Sequence, residues 1–185
     1  MTSNNNLLEM WLFENKIKFI KDFNIKNKSW LKAGGVVKTF ITPNSEGDCI
    51  KTIKFFHKNK FTFYVLGNIS NIIIRDGIIN TPIINLHKLS NIFEKRTHEE
   101  FKLKVNAGIS IPKFSKYLVN KGITAYEGLV GIPGTLGGGI VMNISSYGSC
   151  ISDYLISVEC IDENGELFSL NKSEINFSFR KSLFQ

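Results

Sequence analysis

The sequence predicts an α+β fold of two successive lobes, residues 1–94 and 95–185, divided at the polar stretch Glu94 to Glu100. Three observations carry that prediction. Segments of helical spacing and segments of strand-like composition follow one another with no internal repeat, the pattern of an α+β chain. Asn164-Gly165 separates two β-like runs, Leu155–Ile161 and Glu166–Leu170, and so signals a hairpin. With 185 residues and a hydrophobic fraction of 43%, the chain can supply the core of one ordinary domain or of two small lobes.

From Leu7 to Lys21, Leu8, Trp11, Leu12 and Phe19 fall close to helical spacing, with Asn15 as a polar interruption, and predict an amphipathic helix. Ser45 is a candidate N-cap with Asp48 three residues later, and Ile50, Ile53 and Phe56 would share a face of the helix that follows. Phe61–Leu66 is aromatic and β-branched, and Ile72-Ile73-Ile74 follows Gly67-Asn68, so the reading is strand, tight loop, strand. Residues Phe101–Ala107 alternate apolar with polar, as a strand with one wet face does, and Gly108 ends them. Ile111–Asn120 reads as a helix, because Pro112 suits its first turn and Gly122 its C′ position.

Composition excludes several classes. Asn68, Asn71, Arg75 and Asp76 interrupt the most hydrophobic region, Phe61–Leu86, so no membrane span is expected. The start, Met1–Asn6, lacks the pattern of a secretory signal, and a cytoplasmic location is expected. Cys49, Cys150 and Cys160 are too few and scattered for a disulfide framework or zinc knuckles, and read as buried thiols. His57, His87 and His98 show no ligand spacing, so no metal site is expected. The net charge of +7 raises nucleic acid as a partner, but the lysines are dispersed. Even the densest run, Lys16 to Lys32, reads more simply as solvated surface than as a nucleic-acid groove.

The chemistry lies in the glycines. Gly131, Gly134, Gly137, Gly138 and Gly139 cluster too tightly for an ordinary hairpin. Glycine is used where φ must be positive or where a ligand must come closer than a Cβ permits. If Thr135 opens a helix running through Val141, free N–H groups and the helix dipole would face a diphosphate, with the Thr135 hydroxyl as a further donor. The competing reading is a flexible glycine loop with no ligand. No Lys-Ser or Lys-Thr follows the glycines and no GxGxxG follows a first strand, which sets aside a nucleotide triphosphatase. Leu66-Gly67-Asn68-Ile69-Ser70-Asn71 is a second phosphate-loop candidate, with an ordinary turn as its alternative. Arg180 sits among Phe177, Phe179 and Phe184, where it would stabilise developing negative charge or stack on a ring.

In this order the segments resemble the UDP-N-acetylenolpyruvoylglucosamine reductase family of flavoenzymes. Tyr126–Gly139, continued by Met142-Asn143 and Tyr147-Gly148, is similar to that family's glycine-rich FAD loop. Val65–Asn71 with Asp76-Gly77 resembles its first diphosphate loop, Phe179–Ser182 its arginine segment, and Ser29–Gly35 its opening motif. The resemblance implies the two-lobed FAD-binding fold of the vanillyl-alcohol-oxidase (PCMH) type. It assigns FAD contact to Leu66, Gly67, Asn68, Ile69, Ser70, Asn71, Gly131, Ile132, Pro133, Gly134, Thr135, Gly137, Gly138 and Asn143, and the catalytic role to Arg180. It implies NADPH as hydride donor, a UDP-sugar substrate and a place in peptidoglycan precursor synthesis. Two departures stand out. Ile69 occupies a position where the family usually has glycine, and a β-branched residue resists φ > 0. Family enzymes also continue into a third, substrate-binding domain beyond the arginine segment. The second lobe is therefore expected to be incomplete, and flavin binding is expected without unaided turnover. An exposed sheet edge would favour self-association or completion by another chain.

Overall fold

The computed structural model describes residues 2–185, and the chain divides into two compact units, residues 1–88 with 159–169, and residues 89–158 with 170–185. In the first unit, helix α1 (Thr2–Glu14) buries Leu8 and Leu12 and stacks Trp11 on Phe55 at 4.2 Å. The helix ends well short of the Lys21 expected from periodicity. Lys16 turns left-handed at φ 56°, and Ile17 N–H closes back on the Leu12 carbonyl at 2.9 Å, a tight C-terminal turn. Phe19 then belongs to strand β1 (Phe19–Asn24), whose Phe19 and Phe23 pack against two separate core clusters.

β1 pairs antiparallel with β2 (Val36–Ile41). Helix α2 (Glu46–Lys58) follows, and the Ser45 side chain accepts from Asp48 N–H as its cap. Its inner face buries Cys49, Thr52, Ile53 and Phe56. β3 (Tyr64–Leu66) and β2 both run parallel to β5 (Ile83–Asn85), giving the order β1-β2-β5-β3, while β4 (Ile78–Ile79) pairs with β2. The sheet is shorter than the sequence suggests. Phe61 and Phe63 pack on Phe56 at 5.5 and 5.0 Å instead of extending β3. Ile72–Ile74 forms no strand; Ile73 is 83% exposed and the pairing falls to Ile78–Ile79 instead. Burial, with Asp48 and Glu46 nearby, pushes the Cys49 thiol up to about 12, so one of the three cysteines is an inert core thiol. Cys150 and Cys160 are only half-buried.

The second unit begins with the antiparallel hairpin β6 (Ile92–Arg96) and β7 (Phe101–Val105). Helix α3 (Ile111–Asn120) has Pro112 in its first turn and Gly122 at φ 69° just past its end, as the sequence predicts, and Ser110 as its N-cap. It packs Ile111, Phe114 and Leu118 against Leu129 and Ile151. The short helix α4 (Leu136–Val141) and the small hairpin β8 (Ser145–Ser146) and β9 (Ser149–Cys150) complete this body. Strands β10 (Ser157–Ile161) and β11 (Leu167–Asn171) form the hairpin signalled by Asn164-Gly165. Among the described residues, no helix is long and apolar enough to cross a membrane.

Candidate functional site

The candidate residues fall on two loops and a turn: Leu66–Asn71 in the first unit, and Gly131–Asn143 with Arg180 in the second. The first loop leaves β3 at Leu66 and bends at Ile69, which takes φ 53° despite its branched Cβ. Packing explains how. The Ile69 side chain is 3% exposed in a cluster with Ile25, Val37, Phe40 and Ile83, and the Trp30 N–H donates to its carbonyl at 3.1 Å. A left-handed L-residue costs about 1–2 kcal/mol, whereas burying an isoleucine side chain contributes about 1.5–3 kcal/mol. Burial therefore holds the bend that glycine would have taken for steric reasons. The amides of Asn68, Ile69 and Asn71 donate to no backbone carbonyl among the described residues, and Asn68 and Asn71 are exposed.

The loop's own carbonyls are held from within. Asn85, at the end of β5 and 1% exposed, donates from Nδ2 to the carbonyls of Leu66 at 2.9 Å and Gly67 at 2.7 Å. Sequence reasoning missed this residue. Its only signal was an amide closing the buried run Ile83-Ile84-Asn85.

In the second unit, Thr135 caps α4, but its hydroxyl accepts from Gly138 N–H at 3.3 Å and the residue is 3% exposed. The first-turn donors of α4 are also taken: Leu136 N–H goes to Ile109 O at 2.9 Å and Gly137 N–H to Ala107 O at 2.8 Å. The expected row of free amides at a helix start is thus not what α4 presents. Among the described residues, the amides of Gly131, Gly134 and Thr135, just upstream, donate to no backbone carbonyl. The glycines divide by job. A Cβ on Gly137 would come within 2.8 Å of the Ala107 Cβ, so that glycine serves close packing. Gly131, at φ 92° with nothing within 4 Å of a would-be Cβ, faces open space. It borders a cavity of about 390 Å³ lined also by Glu127, Gly128, Val130, Ile132 and Tyr147.

The arginine turn is tied to the end of α4. Asn143, left-handed at φ 41° and 8% exposed, donates from Nδ2 to the Ser178 carbonyl at 2.9 Å, and the Ser182 hydroxyl donates to the Val141 carbonyl at 2.7 Å. Ser178 and Lys181 exchange backbone hydrogen bonds at 3.0 and 3.1 Å, so Phe179 and Arg180 form a two-residue turn, with Arg180 at φ 55°. Among the described residues no ring lies under its guanidinium and no carboxylate pairs with it. The ring-stacking alternative is not realised. Arg180→Gly is expected to raise stability by about 0.5–1 kcal/mol, the relieved strain less glycine's added unfolded-state entropy. Thermal denaturation checks this; a loss above about 1 kcal/mol would mean the side chain has a structural partner.

In the second unit, the Gly131 amide without a backbone acceptor, the open space at that glycine and the cavity beside it are features that suit the phosphate of a nucleotide ligand. The FAD-binding domain family matches residues 37–171, and the chain belongs to that family. More particularly, it is similar to UDP-N-acetylenolpyruvoylglucosamine reductases. The reductase of Rickettsia prowazekii (strain Madrid E) is 35% identical over 165 residues, 89% of this chain and 55% of the relative. That of Shouchella clausii (strain KSM-K16) is 35% identical over 164 residues, 89% and 51% of the two chains. The chain spans about half the length of the curated relatives it matches. The crystal structure of the Thermus caldophilus reductase superimposes with a TM-score of 0.70 at 24% identity, over 90% of this chain and 57% of that one. Cholesterol oxidase from B. sterolicum gives 0.61 at 16% identity, over 85% and 33%. The fold is the vanillyl-alcohol-oxidase type of FAD-binding domain that the resemblance implies.

Proposed function

We propose that this chain binds FAD through Leu66–Asn71 and Gly131–Thr135, with Gly137, Gly138 and Asn143 shaping the second segment, as the flavin-holding part of a UDP-N-acetylmuramate-forming reductase. The observation that carries the reading is the pair of glycine-bearing loops, each presenting backbone N–H groups without backbone acceptors. In this reading residues 1–94 and 95–185 are its two FAD-binding lobes. The family reaction reduces the enolpyruvyl group of UDP-N-acetylglucosamine enolpyruvate with NADPH, in cytoplasmic peptidoglycan precursor synthesis, and bound FAD supplies the hydride relay. The protein's own part is narrower. Loop amides would donate to the diphosphate oxygens, and buried Asn143 fixes the Ser178–Lys181 turn. That turn holds the Arg180 charge where it would stabilise negative charge developing on the substrate.

The alternative is a flavin-binding module that acts only with further polypeptide, a reading favoured by the half-length match to the relatives. Purified chain mixed with FAD should keep a visible flavin band through gel filtration; no retention at micromolar FAD would overturn FAD binding. Anaerobic bleaching by NADPH would favour a competent first half-reaction, and a persistent band would favour the module.

A further inference from the structure

We infer that Asn85 is the positioning residue of the first phosphate loop, fixing Leu66 and Gly67 so that the amides beyond them face a diphosphate. This rests on the FAD-binding reading of residues 67–71.

Asn85 ends β5 beside Leu66, its parallel partner in β3, and its side chain is buried. A buried amide with unmatched polar atoms would destabilise the strand, but here each end is matched. Nδ2 donates to the Leu66 and Gly67 carbonyls. Oδ1 accepts from the His87 main-chain N–H at 3.4 Å and contacts His87 Nδ1. A main-chain N–H can only donate, so the amide cannot be flipped without setting donor against donor and carbonyl against carbonyl. The His87 ring must then carry its proton on Nδ1. Burial, reinforced by Lys28, Lys88 and Lys18, holds that ring below the usual histidine range, favouring the neutral tautomer with one ring proton.

The geometric consequence is in the peptide planes. With the Leu66 and Gly67 carbonyls drawn toward β5, the amides across those two peptide bonds, on Gly67 and Asn68, point the opposite way, because the peptide unit is planar and trans. The loop is fastened at a second point by Trp30 N–H on the Ile69 carbonyl. Asn85 thus sets the entry of the loop and Trp30 holds its bend.

The test compares wild type, Asn85→Leu and Ile84→Val by FAD fluorescence titration and by amide hydrogen exchange without FAD. Ile84 is buried on the same strand, and its side chain has no hydrogen-bonding group to hold the loop. Asn85→Leu is expected to weaken FAD binding about tenfold to hundredfold, the effect of two lost hydrogen bonds. It should also speed exchange at the Trp30 amide relative to the amides of β1 and β2, which a merely global loss of stability would not do. Ile84→Val should leave both readouts within about twofold of wild type. The inference is overturned if Asn85→Leu binds FAD like wild type, or if Ile84→Val reproduces its effects. If wild type itself fails to bind FAD, the cofactor reading fails, and unchanged relative Trp30 exchange in Asn85→Leu would separately overturn the positioning role.

Discussion

Gly35→Ala is expected to cost the first unit about 3 kcal/mol or more, a large part of the total stability of a domain. An ideal Cβ at Gly35 would stand 1.9 Å from the Gly77 carbonyl oxygen and 2.8 Å from its carbonyl carbon. That oxygen also accepts the Val36 N–H at 2.8 Å, where β2 begins beside β4. The obstacle is backbone on both sides and cannot rotate away, so the clash must be relieved by parting the strands. Gly47→Ala is the control, because its Cβ would meet nothing nearer than the Ser45 hydroxyl at 3.7 Å, within helix α2. It should stabilise by up to about 1 kcal/mol. Denaturant unfolding of the two variants gives opposite signs, and a Gly35→Ala protein as stable as wild type would disprove the backbone account.

Gly128→Ala should reduce FAD affinity about a hundredfold. Its Cβ would lie 2.2 Å from the Ser146 carbonyl oxygen and 3.0 Å from that of Tyr147, pushing the single turn Glu127–Leu129 off the β8–β9 hairpin. Gly128 N–H would also lose the Ser149 hydroxyl, 3.1 Å away. This turn leads directly into Val130 and Gly131 and lines the cavity beside them, so an overpacking displacement of about 3 kcal/mol falls on the presentation of the Gly131 amide. A fluorescence titration matching wild type would show that the cavity is not part of the flavin site.

The elements read well from sequence were those specified by neighbours along the chain. Helix α3 was legible in its bounds because Pro112 and Gly122 are local signals, while its Ser110 cap went unread. The cap Ser45 and the start of α4 at Thr135 were legible for the same reason. Phe19 was misread because it continues the spacing of Leu8 and Leu12, while the left-handed Lys16 that ends the helix has no preferred residue type to betray it. Ile72–Ile74 has strand composition, but pairing with β2 falls to Ile78 and Ile79. At the candidate site, the glycine segment was legible as a segment, but not the state of its amides. Which of its amides are free depends on Ile109 and Ala107, contacts across the fold that no spacing rule contains. Asn85 was invisible for that reason too, since its two acceptors lie 19 and 18 residues away.

Ile69 changes when the first loop becomes ordered. A glycine at this bend would leave the loop free to sample both signs of φ until a ligand selected one, and the entropy of ordering would be lost at binding. A branched residue seated in the core moves that loss to the folding step, and it also narrows the states open to the unfolded chain. In the FAD-binding reading the loop would meet its ligand already shaped: its recognition would be rigid, and its tolerance for a differently shaped anion correspondingly small.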